Sequence, residues 1–125
     1  MPKDSTQRRR ILVVEDDPDT REYLRDLLTA SSFDVDVAAD ADGARTLALS
    51  LAPHALVLDL SLPRESGCSL LRDLRARGVD VPTVLVTAHP HPPDELDGRK
   101  LLVIAKPFRA EELIGALERE LGKAA

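Results

Sequence analysis

The sequence has few aromatic residues and almost no cysteine. It contains no tryptophan, one tyrosine and two phenylalanines, so its core must be built from leucine, valine, isoleucine and alanine. The single cysteine, Cys68, excludes an internal disulfide and fits a reducing compartment. No apolar stretch approaches the roughly 18 residues of a membrane-spanning helix. The opening MPKDSTQRRR also lacks the apolar segment of a signal peptide. We therefore expect a cytoplasmic protein with no membrane partner.

An excess of positive charge is also missing. The chain has 22 acidic and 17 basic residues, a formal net charge of −5, whereas nucleic-acid-binding surfaces are usually basic. We therefore expect no direct contact with nucleic acid and interpret the one basic run, Arg8 to Arg10, as a solvated flank. The length of 125 residues suits one domain with its own core. We predict a flexible leader at 1–9, a domain at 10–122 and a tail at 123–125.

Short apolar runs alternate along the chain with segments of helical periodicity. This alternation is typical of a parallel sheet covered by helices on both faces, and such sheets bind ligands at the carboxyl ends of their strands. The predicted strands lie at 11–14, 33–39, 55–59, 82–88 and 101–105, and the predicted helices at 19–31, 42–52, 67–78 and 110–122.

The segment 89–100 interrupts this alternation. It contains Pro90, Pro92 and Pro93, which remove backbone donors and bias the preceding residues away from helix, and Gly98 follows. We therefore expect the helix between the last two strands to be short or missing. With Leu96 as its only apolar anchor, the segment is also expected to be the most mobile internal region.

Residues of complementary chemistry follow the buried runs. Glu15 and Asp16 follow the first run, Asp59 ends the run at 55–59, and Thr87 and Lys106 follow the last two. Carboxylates suit Mg²⁺, and an aspartate can also accept a phosphoryl group as an acyl phosphate. An ammonium and a hydroxyl can stabilise the phosphoryl oxygens. Each acid alone is equally well explained as a turn former, but the set on one sheet edge favours a phosphoryl site.

The motifs ILVVEDDPD, LVLDLSLPRESG, VLVTA and AKPF, in that order, resemble the receiver domain of two-component response regulators. The similarity extends from about Arg10 to Leu121. The resemblance implies an α/β fold of the flavodoxin-like type: a single doubly wound, five-stranded parallel sheet in the order 2-1-3-4-5. It also implies that Asp59 is the phosphoacceptor and that Lys106 and Thr87 assist it.

The same resemblance implies a magnesium site. Its ligands would be the carboxylates of Glu15, Asp16 and Asp59 and the backbone carbonyl of Ser61. Asp17, the third acid of the run, is interpreted mainly as a turn and helix-cap residue.

Four further positions bear on the switch that the family uses. Ala88 is small and leaves room for a phosphoryl group, and His89 stands where a side chain could screen that group from water. The family carries an aromatic residue three positions before its lysine, where this chain has Val103, so rotation of an aromatic ring cannot transmit the signal. The Lys106–Pro107 bond is expected to be cis.

These features predict a phosphoprotein of a two-component system or phosphorelay, and not an enzyme. It would accept a phosphoryl group from a histidine kinase or histidine phosphotransfer protein, with Mg²⁺, and act on an unknown downstream protein as a monomer or weak dimer. The alternatives are an interaction module that works without phosphorylation, or the excised receiver of a hybrid histidine kinase or larger regulator. Small-molecule aspartyl-phosphate enzymes carry a second acid two residues after the nucleophile, where this chain has Ser61.

Overall fold

The structure, a computed structural model, describes residues 8–124. Residues 1–7 of the predicted leader, and Ala125 of the predicted tail, lie outside the described residues. The strands are β1 Arg10–Val14, β2 Asp34–Ala38, β3 Ala55–Asp59, β4 Thr83–Thr87, β5 Glu95–Leu96, β6 Arg99–Lys100 and β7 Leu102–Ala105, and the helices are α1 Pro18–Ala30, α2 Ala41–Leu51, α3 Gly67–Ala76 and α4 Ala110–Ala124.

Five strands form one parallel sheet in the order β2-β1-β3-β4-β7. Since β7 is the fifth strand of this sheet along the chain, the predicted order 2-1-3-4-5 is confirmed. β3 is the central strand, and β1 pairs with β2 through Ile11 and Val35 and with β3 through Ile11 and Ala55. All five residues of β3 are buried, as the apolar run at 55–58 predicts for the first four of them. The carboxyl ends of β1, β3, β4 and β7 therefore meet at one edge.

Helices cover both faces of the sheet and bury an aliphatic core. Alternate residues of each strand point to opposite faces, so the core is divided in two. On one face α1 and α4 pack against the sheet, mainly through Leu24, Leu28, Leu113 and Leu117. On the other face α2 and α3 contribute Ala44, Ala48, Leu70, Leu71 and Leu74. Among residues 8–124, no helix is both long and apolar enough to cross a membrane.

Side-chain caps set the starts of the first three helices. Asp17 accepts a hydrogen bond from the Thr20 amide at 2.9 Å, which confirms its predicted role as a cap. Asp40 and Ser66 cap α2 and α3 in the same way. Arg109 before α4 has no acceptor on its side chain. Glu112 compensates by reaching back to accept from the Arg109 amide at 3.2 Å.

A β-hairpin replaces the helix between β4 and β7. β5 and β6 pair antiparallel through a two-residue turn, in which Asp97 and Gly98 have φ values of 51° and 80°. No helix lies between Thr87 and Leu102, so the prediction of a short or missing helix is confirmed. Leu96 is 7% exposed and packs into the core beside α2 and α3, as expected of the segment's one apolar anchor.

Candidate phosphoryl-acceptor site

Three carboxylates converge at the carboxyl edge of the sheet. Oxygens of Glu15, Asp16 and Asp59 all lie within 4.8 Å of one another. The convergence follows from the topology, because Glu15 directly follows β1 and Asp59 ends the neighbouring β3. Glu15 is 1% exposed and Asp59 is 5% exposed, whereas Asp16 is open to solvent. Two nearly buried acids side by side repel each other and need a compensating charge.

Lys106 supplies part of that charge. Its Nζ donates to Oε1 of Glu15 at 2.8 Å and to Oδ2 of Asp59 at 3.3 Å. Burial raises the pKa of the Glu15 carboxyl to about 6, and the hydrogen bond from Lys106 opposes this rise only in part. Burial also disfavours the charged Lys106, but its two carboxylate partners outweigh this effect and raise its pKa above the ordinary value. The lysine therefore remains an ammonium at neutral pH.

Backbone and guanidinium contacts hold the acidic residues in place. Nη1 of Arg21, in the first turn of α1, donates to the carbonyls of Glu15 and Asp16 at 3.0 and 3.3 Å. The amide of Asp17 donates to Oε2 of Glu15 at 3.2 Å, and the amide of Ser61 donates to Oδ1 of Asp59 at 2.9 Å. The sequence reasoning missed Arg21, whose only signal is its position one turn after the acidic run.

The β3–α3 loop passes very close to the backbone of Asp59. The Gly67 amide donates to the Leu60 carbonyl at 2.9 Å, and a Cβ on Gly67 would lie 2.5 Å from the backbone oxygen of Asp59. Only glycine permits this approach. Arg45 of α2 steadies the same loop, because its guanidinium bonds to Glu65 of the loop and to Asp73 of α3. Neither Gly67 nor Arg45 was predicted from the sequence as a supporting residue of the site.

Thr87 and Lys106 are held together at adjacent strand ends. The Lys106 amide donates to the Thr87 carbonyl at 2.8 Å. The Thr87 side chain is fully buried, and its Oγ1 accepts from the His89 amide at 2.9 Å. Because a hydroxyl that accepts one hydrogen bond can still donate its own proton, Thr87 is available as a donor toward the site.

The remaining predicted positions lie around this centre. Ala88 is exposed and, with Lys106, Pro107 and Phe108, lines a cleft of about 410 Å³ that also borders α1. The Lys106–Pro107 bond is cis. His89 is exposed and its Nδ1 accepts from the His91 amide at 3.0 Å. Val103 lies in β7 opposite Leu85, half-buried, and packs on the α2 and α3 side of the core.

The charge of the site suits a hard divalent cation. The carboxylates of Glu15, Asp16 and Asp59 carry three negative charges when ionised, and Lys106 offsets one, which leaves two. A dication neutralises this remainder, and oxygen donors are the ligands that Mg²⁺ prefers. Ser61, two residues after Asp59 on an exposed loop, is placed next to this donor set by its amide contact with Asp59. The residues present therefore fit a bound Mg²⁺.

Comparison with known proteins agrees with this geometry. The sequence matches the model of the response regulator receiver domain family over residues 11–118, and the chain belongs to this family. It is 38% identical over 111 residues to the response regulator MprA of Mycobacterium tuberculosis, an alignment that covers 86% of this chain and 48% of MprA. It is 34% identical to the transcriptional regulatory protein DltR of Streptococcus agalactiae, covering 86% of this chain and 50% of DltR. The chain thus spans about half the length of these relatives.

Solved receiver domains share the fold. The receiver domain of the sensor histidine kinase PA1611 from Pseudomonas aeruginosa superposes with a TM-score of 0.80 at 29% identity, covering 92% of this chain and 98% of that one. That structure has a magnesium ion coordinated in its active site cleft. The response regulator TrrA of Thermotoga maritima, in complex with Mg²⁺ and BeF, gives 0.78 at 27% identity, covering 89% of this chain and 97% of that one.

Proposed function

We propose that this domain accepts a phosphoryl group on Asp59 and thereby controls a protein partner. The observation that carries the proposal is the position of the Asp59 carboxylate, which is nearly buried between two further carboxylates and the Lys106 ammonium. The phosphodonor would be a phosphohistidine of a histidine kinase or histidine phosphotransfer protein. In the transfer, a carboxylate oxygen of Asp59 forms a bond to phosphorus as the phosphorus–nitrogen bond breaks, and the departing imidazole keeps the electron pair of that bond.

Each residue around Asp59 has a part in this step. The Ser61 amide fixes one carboxylate oxygen, Oδ1, which orients the other. Lys106 already donates to Oδ2 and would donate to the phosphoryl oxygens once they are attached to Asp59. Thr87 would donate its hydroxyl proton to a phosphoryl oxygen while its Oγ1 continues to accept a hydrogen bond from the His89 amide. Ala88 next to it leaves open space in the adjoining cleft.

We propose that Glu15, Asp16, Asp59 and the backbone carbonyl of Ser61 hold Mg²⁺ in this reaction. The ion would supply positive charge to the phosphoryl oxygens. The donor set supports this assignment, as do the magnesium ions in the related PA1611 and TrrA structures. The role of Glu15 and Asp16 is to carry the negative charge that attracts the cation, and Arg21 keeps their backbone in position.

The downstream partner is proposed to be a protein surface, which this chain recognises differently once Asp59 is phosphorylated. A net charge of −5 does not favour direct contact of this domain with nucleic acid. DltR is described as a transcriptional regulatory protein, but this chain aligns with only half of it. The receiver would then act on nucleic acid only through whatever protein it contacts.

Phosphorylation by acetyl phosphate tests the proposal directly. The protein is incubated with acetyl phosphate and Mg²⁺, and its intact mass is measured. We expect one phosphoryl adduct in the wild type, none in Asp59→Asn, and an unchanged yield in the control Asp26→Asn, which alters an exposed aspartate on α1. An adduct that persists in Asp59→Asn would refute the assignment. A wild type that takes up no phosphoryl group with Mg²⁺ present would favour the phosphorylation-independent interaction module instead.

A further inference from the structure

A basic groove lies at the end of the sheet opposite to the phosphoryl-acceptor site. It has a volume of about 520 Å³ and is bordered by the first residues of β4 and β7, Thr83 and Leu102. A strand of five residues spans about 13 Å, so the groove and the acidic cluster are separated by the length of the sheet. Four cationic side chains line it: Arg75 of α3, Arg99 and Lys100 of the hairpin, and Lys123 of α4.

The carboxylates around the groove do not balance these cations. Asp80 is bound to Arg99 at 3.0 Å and lies 3.9 Å from Arg75, and Glu120 is bound to Lys123 at 3.0 Å. Four cations and two carboxylates leave a surplus of two positive charges, in a chain whose net charge is −5. A local charge opposite in sign to that of the whole protein attracts anions selectively.

Arg75 has a largely buried guanidinium that is not fully hydrogen-bonded. Its side chain is 16% exposed, and its Nε and Nη1 are buried with no hydrogen-bond partner among residues 8–124. Burial lowers the pKa of the Arg75 guanidinium, and the positive charge of Arg99 lowers it further. Buried polar atoms usually have hydrogen-bond partners in native proteins. A negative charge in the groove would stabilise this guanidinium.

We propose that the basic groove binds a small organic phosphate, with Arg75, Arg99 and Lys100 facing the phosphate group. A phosphate ester carries close to two negative charges at neutral pH, which equals the surplus, whereas a carboxylate carries one. Guanidinium groups also match phosphate oxygens in a bidentate manner. The volume of about 520 Å³ exceeds what a phosphate ion needs, and Val81, Pro82 and Leu101 provide an apolar wall for the organic part.

Such a ligand would connect three elements that otherwise touch little at this end. Arg75 belongs to α3, Lys123 to α4, and Arg99 and Lys100 to the hairpin that takes the place of a helix. The hairpin turn at Asp97 and Gly98 reverses the chain and places Arg99 opposite Leu96, at the edge of the groove. The site is therefore a consequence of the hairpin.

Phenylphosphonate is the probe, because it carries a dianion on an apolar ring and its phosphorus–carbon bond cannot phosphorylate Asp59. ¹⁵N-labelled protein is titrated without Mg²⁺ in the presence of EDTA, and amide chemical shifts are followed by NMR. We expect saturable shifts of the Lys100, Leu101 and Leu102 amides and little change at Lys106. Benzoate, which has the same ring and one charge, should bind more weakly.

Substitutions decide which residues carry the binding. Arg75→Met keeps an unbranched apolar stem and should weaken binding about tenfold or more, since one of the four cations that line the groove is lost. Lys100→Gln alters an exposed residue and should weaken it by a smaller factor, which keeps the test valid if Arg75→Met does not fold. Arg25→Gln, which removes an exposed cation of α1 outside the groove, should bind as the wild type does.

Three results would overturn the proposal. One is the absence of saturable shifts in the groove, and another is equal binding by wild type and both groove variants. The third is equal affinity for benzoate and phenylphosphonate, which would mean that the ring alone is recognised.

Discussion

Replacing Glu15 by glutamine should stabilise the metal-free protein, and the gain should depend on pH in a defined way. Glu15 is 1% exposed, and burial raises its pKa from 4.5 to about 6. When the pKa of a carboxyl is higher in the folded state, its contribution to the unfolding free energy is greatest at low pH. For Glu15 this means below pH 4.5, where the carboxyl is mostly protonated in both the folded and the unfolded state. This contribution is lost as the pH rises through about 6, where the folded protein must carry the buried charge.

The size of the effect follows from the two pKa values. The rise from 4.5 to about 6 corresponds to about 2 kcal/mol of unfolding free energy, at about 1.36 kcal/mol for each pH unit. The buried position of Glu15 means that solvent screening does not reduce this figure much. Glutamine has nearly the same shape and does not titrate. The stability of Glu15→Gln minus that of the wild type should therefore increase by about 2 kcal/mol between about pH 4.5 and pH 7.5.

Urea unfolding at a series of pH values, in EDTA, measures this difference. Carboxylates distant from Glu15 titrate alike in both proteins and cancel in the subtraction. Glu65→Gln is the matched control, because the hydrogen bond from Arg45 lowers the pKa of Glu65. A carboxyl whose pKa is lower in the folded state stabilises the fold at pH values above its ordinary pKa, and this stabilisation is lost as the pH falls. The Glu65→Gln difference should therefore change in the opposite direction, with the variant becoming relatively less stable as the pH rises.

A flat Glu15→Gln difference, or one of the same sign as the Glu65→Gln control, would refute the reasoning. Mg²⁺ provides a second readout on the same proteins. Because a ligand of the native state stabilises by mass action, Mg²⁺ at neutral pH should raise the wild-type melting temperature. It should raise that of Glu15→Gln less, since one carboxylate of the cluster is gone. Equal shifts in melting temperature for the two proteins would mean that Mg²⁺ binds away from Glu15.

Three further predictions concern the backbone. Gly67→Ala should lower the unfolding free energy by about 1–3 kcal/mol and reduce acetyl phosphate labelling in intact-mass assays, because the new Cβ would lie 2.5 Å from the backbone oxygen of Asp59. Ala52→Gly should raise the urea midpoint, by up to about 1 kcal/mol in stability, because Ala52 caps α2 with a φ of 50° that favours glycine. In hydrogen exchange, amides 89–100 should be the least protected internal segment and become slower with beryllofluoride; strand-like protection, or no change, would contradict this expectation.

Most of the sheet and the site could be predicted because both depend on local signals. The uninterrupted apolar runs at 11–14 and 55–58 are typical of strands buried on both faces, and they lie in β1 and β3. A parallel sheet then brings the residues after these strands to one edge without further information. The gathering of Glu15, Asp59 and Lys106 in the structure follows from that rule together with the strand order, which only the family resemblance implied.

The hairpin was missed although its turn was present in the sequence. Asp97–Gly98 is a two-residue turn signal, and both residues adopt the positive φ that such a turn requires. The flanking pairs Glu95–Leu96 and Arg99–Lys100 are too short and too polar to give a strand pattern. Here three prolines argue against a helix, and the hairpin that replaces it is attached to the core by the long-range packing of Leu96.

Contacts between distant residues account for what else could not be predicted. Arg45 meets Glu65 and Asp73 across 20 and 28 residues, and nothing in their local sequence distinguishes them from solvated charges. The close approach of Gly67 to Asp59 likewise depends on how α3 packs on β3. Residues that support a site are therefore harder to predict from sequence than residues that form it.

The route by which Asp59 could affect a partner must differ from aromatic rotation, because β7 carries Val103 at the relevant position. Thr87 is bonded through its Oγ1 to the His89 amide, so a pull on its hydroxyl acts first on the segment that leads to the hairpin. That hairpin is attached by the buried Leu96 and by exposed ion pairs such as Arg72–Asp97 at 3.0 Å. Exposed pairs contribute about 0–1 kcal/mol each and one buried leucine about 1.5–3 kcal/mol. An element held this weakly can shift between conformations when one hydrogen bond is gained. We therefore expect the hairpin to be the part of the proposed switch that responds first.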